Sequence, residues 1–262
     1  MTRMDLNSDL GEGFGPWRMG DDAALLSLVT SANIACGGHA GDPETMHDTL
    51  RTAAALGVTI GAHPGYNDRE GFGRRIIPMT PPEIGRMVAA QVGALIGVAA
   101  LAGATVRYVK PHGALANLAA DRRDVADAIA AAVRAVWGDL AILAISGTEL
   151  EAAARDAGMR VFSEIFVDRG YLSTGRLVPR GHQGAMIHDP GIAAVRLVGF
   201  LRTGLMPVVD GDPIRLNAQS ICVHGDSAGA VAMARRIRAV LQAEGSAIKP
   251  FLQARHDDRP DA

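Results

Sequence analysis

Short aliphatic runs alternate along the chain with longer stretches in which apolar residues recur every three or four positions. Residues 5–9, 31–35, 58–62, 106–110, 141–145, 161–164 and 219–223 are short, and each predicts a β-strand. Residues 21–29, 43–56, 83–102, 121–137, 148–157 and 228–243 carry the helical period. Local signals agree. Asp42 is a natural N-cap and Pro43 suits a first helical turn, while Gly57, Gly103 and Gly158 each close a helix shortly before a strand. Strand–helix units repeated in this way predict a parallel α/β sheet. Seven of them in a chain of 262 residues predict a seven-stranded (β/α) barrel of the TIM-barrel type.

Two stretches depart from the alternation. Residues 67–82 read as a Gly- and Arg-rich loop. Residues 165–218 read as a long insertion between the last two strands, with a helix at 191–201 and a hairpin turning at Asp210-Gly211 between Val208-Val209 and Ile214-Arg215-Leu216. No low-complexity linker interrupts the chain, so residues 1–250 are expected to form one barrel domain, with the polar 251–262 as a frayed tail. Residues 87–106 carry no charge and match a membrane span in length. Gln91 and the helix stop at Gly103 instead predict a buried helix followed by a strand.

Composition narrows the function classes. Hydrophobic residues make up 48% and charged residues 21%, which describes a globular chain. A net charge of -2 and 4% aromatics argue against a nucleic-acid partner. Two cysteines are too few for a disulfide framework, and the first residues lack an apolar signal core, so a cytoplasmic protein with reduced thiols is expected. Cys36 and Cys222 read as buried thiols, with a nucleophilic Cys36 beside Gly37-Gly38 as the lesser alternative. The sequence holds no Gly-x-x-x-x-Gly-Lys-Ser/Thr stretch, and Gly11-Glu-Gly13-Phe-Gly15 does not have dinucleotide-type spacing.

The polar residues are placed with more point. They cluster where each predicted strand ends, the face on which parallel α/β folds carry their sites. Asp5, Asn7 and Asp9 share one face of the first strand, with Glu12 in the turn beyond. Asp5 reads equally well as part of a satisfied polar plug inside the barrel, whereas Asp9 lies nearer the mouth. His39 follows the second strand, His63 the third, Lys110 and His112 the fourth, Glu164 and Asp168-Arg169 the sixth, and His224 with Asp226 the seventh. Catalytic roles are therefore expected among Asp9, Glu12, His63, Lys110, His112, His224 and Asp226. A carboxylate or histidine would orient water, Lys110 would hold a carboxylate or oxyanion, and His224 would pair with Asp226. The insertion adds Tyr171, Arg176, Arg180, His182 and His188, and such a loop could close as a lid or bring Arg to an anion. Substrate contacts are expected from Asn7, His39, Glu164, Arg169, Arg176 and His182.

Six collinear segments resemble the LamB/YcsF family. They are Asp5-Leu-Asn-Ser-Asp-Leu-Gly-Glu-Gly-Phe-Gly, Asn33-Ile-Ala-Cys-Gly-Gly-His-Ala-Gly-Asp42, Gly61-Ala-His-Pro-Gly-Tyr66, Val109-Lys-Pro-His-Gly-Ala-Leu115, Glu164-Ile-Phe-Val-Asp-Arg-Gly-Tyr171 and Val223-His-Gly-Asp226. The resemblance implies a barrel related to glycoside hydrolases and polysaccharide deacetylases. It also implies 5-oxoprolinase chemistry, the ATP-dependent hydrolytic opening of 5-oxo-L-proline to L-glutamate together with partner subunits B and C. ATP would then be handled by the partners. The deacetylase likeness further implies that Asp9 with His39, His63 or His112 could hold a divalent metal. The competing readings are a stand-alone metal-dependent deacetylase or amidase, and a non-catalytic component that binds a small carboxylate.

Overall fold

The computed structural model describes residues 3–227 and 229–252. Its strands are β1 (Arg3–Leu10), β2 (Ser31–Ala35), β3 (Thr59–His63), β4 (Val106–Val109), β5 (Ala141–Ile145), β6 (Val161–Phe166), β7 (Leu205–Met206), β8 (Ile214–Arg215), β9 (Ser220–Val223) and β10 (Ala247–Ile248). Its helices are α1 (Asp22–Leu26), α2 (Pro43–Ala55), α3 (Pro81–Leu101), α4 (Gly113–Asp121), α5 (Arg123–Val136), α6 (Glu149–Asp156), α7 (Pro190–Thr203) and α8 (Ala230–Ala243). Strands β1 to β6 run parallel in sequence order, β9 pairs with β6, and β9 also pairs with β1, so seven strands close a barrel.

Outward-facing aliphatics of the strands pack on the helices. Leu6, Leu10, Ile34, Ile60 and Ile221 are buried there with Leu25, Leu50, Val92 and Ile237. The helix starts follow local chemistry. Asp42 accepts from the Thr45 N–H at 2.8 Å, Glu83 accepts from the Thr80 N–H at 2.7 Å, and Asp189 accepts from Gly191 and Ile192. Among the described residues α3 is the one helix long and apolar enough to cross a membrane by length and composition. Here it packs against α5 and α2, burying Ile84, Val88, Val92, Leu95 and Ala99 at helical spacing.

Local details differ from the expectations. The helix expected at 121–137 forms as α5, and the chain adds α4 ahead of it, ended where Arg122 takes an extended backbone. The hairpin forms, but its ladder pairs Leu205 with Arg215 and Met206 with Ile214. Gly204, left-handed at φ 69°, leads straight from α7 into β7, and Asp210 is drawn off to accept from the Ser173 N–H at 2.6 Å. The chain also adds β10, a two-residue strand alongside Arg3 and Met4 that is too short to show a period. The frayed tail expected at 251–262 is corrected at its start, where Phe251 and Leu252 are buried against Tyr108, Ala141 and Leu143; its remainder and the expected helix start at Ala228 lie outside the described residues.

Candidate active site

The inner face of β1 carries a graded series of polar groups. At the floor, Asp5 accepts from the Thr30 and Ser31 hydroxyls, each at 2.6 Å, and from the Ser220 hydroxyl. One layer up, Asn7 donates to Ser220 Oγ at 2.7 Å and to Glu164 Oε2 at 3.2 Å, and accepts from Asn33 at 2.7 Å. Asn33 also donates to Asp9 Oδ1 at 2.8 Å, while the Tyr108 hydroxyl donates to Asn33 Oδ1 at 2.6 Å. Gly61 makes room for that tyrosine, since a Cβ there would lie 2.2 Å from its ring. Lys110 then crosses the barrel. Its Nζ lies 2.9 Å from Asp9 Oδ1, 3.2 Å from Glu164 Oε2 and 3.1 Å from Cys222 Sγ. Burial pushes the Asp9 carboxyl up, but the neighbouring charges of His63 and Lys110 outweigh it and hold Asp9 well below the usual carboxylate range. Burial pushes the Cys36 thiol up to about 12, so that thiol is a poor nucleophile.

Above Asp9 stands a histidine cluster. The His63 Nδ1–H donates to the Lys110 carbonyl at 2.7 Å, and the His112 Nε2–H donates to the Phe72 carbonyl at 2.9 Å. The remaining nitrogens, His63 Nε2 and His112 Nδ1, therefore face each other at 2.9 Å. Two lone pairs cannot share that space, so a proton or a cation must lie between them. His39 stacks on His112 with ring centroids 3.7 Å apart and meets Glu12 Oε1 at 3.2 Å. Phe72 is the only non-glycine residue with positive φ among those described, at 53°, and its ring meets both His39 and His112 edge-on.

These residues fit a divalent metal. Glu12, His39, His63 and His112 each offer a ligand atom, all within 4.8 Å of one another and all buried. Three imidazoles and one carboxylate suit a borderline cation, and the backbone carbonyls that accept from His63 and His112 fix the tautomer and orientation a metal would need. Burial and the neighbouring histidine charges keep His39 and His112 well below the ordinary imidazole range, which leaves their lone pairs available. His39 Nδ1 is buried without a hydrogen-bond partner, so one of its ring nitrogens is open to a ligand.

Across the mouth, His224 Nδ1 lies 2.7 Å from Asp168 Oδ2, and the imidazole stacks on Phe166 at 5.1 Å. Burial pushes the Asp168 carboxyl up, but the His224 charge and hydrogen bonds bring it below its usual value. The pairing expected of His224 with Asp226 does not form, because Asp226 turns to Arg74 in an ion pair. A cavity of about 380 Å³ opens between the two histidine groups. Asp9, His63, Lys110, His112, Glu164 and His224 line its polar side, Leu143, Ile145 and Leu177 its apolar side, and Arg74, Arg169 and Arg180 reach into it as well.

Of the residues singled out from sequence, Asp9, His63, Lys110, His112, Glu164, Arg169 and His224 line this cavity. Glu12, His39 and Asn7 touch those lining groups, and Asp226 reaches the site through Arg74. Arg176 and His182 are not brought to it. Arg176 pairs with Asp121 and the Gly147 carbonyl, and His182 is exposed in a turn closed on Pro179. The insertion forms part of the cavity wall through Arg169, which donates to the Ala185 and Val178 carbonyls, and its Tyr171 hydroxyl accepts from the Phe166 N–H. Sequence reasoning missed Asn33, Tyr108, Phe72 and Arg74, and it missed the role of Asp168.

Comparison with known proteins agrees with this architecture. The profile of the LamB/YcsF family matches residues 4–256. The A component of 5-oxoprolinase from Nocardia farcinica is 53% identical over 249 residues, covering 95% of this chain and 99% of that protein. Its counterpart from Paracidovorax citrulli is 51% identical over 249 residues, with the same coverage of 95% and 99%. The crystal structure of a lactam utilization protein from Thermus thermophilus superposes with a TM-score of 0.89 at 40% identity, covering 95% of this chain and all of that one. A putative cellobiose-phosphate cleavage protein from Enterococcus faecalis, at 11% identity and a TM-score of 0.54, shares the fold alone. With a full-length family match and relatives of this identity, the chain belongs to the LamB/YcsF family.

Proposed function

We propose that this chain opens the lactam ring of 5-oxo-L-proline to L-glutamate, as the hydrolytic component of a cytoplasmic, ATP-dependent 5-oxoprolinase whose partner subunits B and C supply the ATP chemistry. One observation carries the reading: relatives matched over nearly their whole length are named as the A component of 5-oxoprolinase, which also implies companion subunits. The cavity supports hydrolysis. His224, with Nδ1–H held by Asp168, presents Nε2 as a base for water. Lys110 supplies positive potential near the developing oxyanion while its contacts with Asp9 and Glu164 keep it fixed.

An amide carbon is a poor electrophile, so phosphorylation of the lactam oxygen by ATP would activate it. Water then adds to the ring carbon, giving its proton to His224. The C–N bond breaks as the nitrogen takes a proton back, leaving an acyl phosphate. A second water releases phosphate and glutamate. Glu12, His39, His63 and His112 would hold a divalent cation, which when bound supplies Lewis-acid polarisation of an oxygen. That cluster also favours a second reading, a metal-dependent amidase acting alone. Glutamate release from 5-oxoproline, with and without ATP and subunits B and C, separates the two. The first reading expects product only from the complete set, and no product from that set contradicts it.

A further inference from the structure

A lactam that carries a carboxylate needs a cation to receive it, and the charges on the cavity wall are mostly spoken for. Lys110 is committed to Asp9, Glu164 and Cys222. Asp226 takes Arg74, and Asp168 takes His224. Arg180 stands apart. Its Nη1 meets only Met186 Sδ, at 3.3 Å, and no carboxylate of the described residues lies within ion-pair distance of it. Arg169, beside it, is held in place by two carbonyls, Ala185 at 3.0 Å and Val178 at 2.7 Å, with no carboxylate of its own. Arg74, Arg169 and Arg180 all line the one cavity. Their mutual repulsion is felt: burial first, and Arg180 next, bring Arg169 down to about 10, and Arg180, exposed at the rim, is lowered by partial desolvation and by Arg74 against the more distant charges of Asp226, Asp168 and Asp9. An anion placed among them would relieve that repulsion.

We propose that Arg180, backed by Arg169, is the anchor for the substrate carboxylate, so that the site selects α-carboxylated lactams and turns their carbonyl towards His224. This rests on the lactam reading above. It moves the carboxylate away from Lys110, whose charge is already matched by Asp9 and Glu164. Apolar Leu143, Ile145 and Leu177 then face the ring methylenes.

The test compares 5-oxo-L-proline with its neutral carboxamide, and with inorganic phosphate. Each is titrated calorimetrically into the full chain, alone and with subunits B and C, for the native protein and for Arg180→Met and Arg180→Lys. The native protein should prefer the acid over the amide. Arg180→Met should weaken the acid by about 10-fold or more, the size of one charge-assisted contact, while changing the amide less than about twofold. Arg180→Lys should recover part of the loss, since it keeps the charge and loses the fork. In turnover the same variants should raise KM far more than they lower kcat. Unchanged acid binding in Arg180→Met overturns the anchor while leaving the lactam reading intact. So does an Arg180-dependent affinity for phosphate without one for the acid. Binding of neither acid nor amide by any form overturns the lactam reading and the anchor together.

Discussion

Asp5 and Asp9 stand on the same face of β1, both buried, and the barrel treats them in opposite ways. Asp5, at the floor, is met by three hydroxyls and no cation, and burial pushes its carboxyl up to about 6. Asp9, at the mouth, is equally deep in protein, yet the charges of Lys110 and His63 overcome burial and keep it ionised. The floor closes on itself through Thr30, Ser31, Ser220 and Asn7. The mouth leaves hydrogen-bonding capacity facing a cavity. A shared strand face therefore does not assign chemistry. What faces each carboxyl does.

The strongest way to break this contrast is Lys110→Met. It strands Asp9 and Glu164 in the barrel without their cation, and urea denaturation should show a loss of about 3–5 kcal/mol, as for a buried ion pair with one partner removed. Asp168→Asn should leave folding nearly intact. It should lower kcat for glutamate release by about 100-fold or more with little change in KM, because it unseats the His224 tautomer rather than substrate binding.

The floor makes a different prediction, in pH. Because Asp5 holds its proton more tightly when folded, its contribution is fully present below its ordinary value of 3.8 and is lost as pH rises through about 6. Urea midpoints should fall between about pH 4 and pH 7, with a total loss approaching roughly 3 kcal/mol, and Asp5→Asn should flatten that slope. The smallest effect belongs to Ser31→Ala, which removes one of three hydroxyls and should cost about 1 kcal/mol in the same measurement.

Much of this was legible in the order of residues. Strand ends were readable because aliphatic runs stop at polar residues, and five such ends brought Asp9, His63, Lys110, His112, Glu164 and His224 to one opening. Pairing was less legible. Asp226, two residues from His224, looked the natural partner, but the ring points to Asp168 on the neighbouring strand's loop, which no local spacing encodes. Asn33 and Tyr108 sit inside strands where polarity reads as noise. Gly61 opposite Tyr108 in the β3–β4 register was the one signal that could have found the pair. Arg74 and Arg180 lie in loops without period, so their convergence is a property of the closed barrel.

The central claim is that the mouth carries the chemistry and the floor carries the structure. Steady-state glutamate release from 5-oxoproline by the complete set of subunits, compared for Asp168→Asn and Asp5→Asn at matched folded fraction, tests it most directly. The account predicts a kcat reduced about 100-fold or more in the first and within about threefold of native in the second. A kcat preserved in Asp168→Asn and abolished in Asp5→Asn would contradict it.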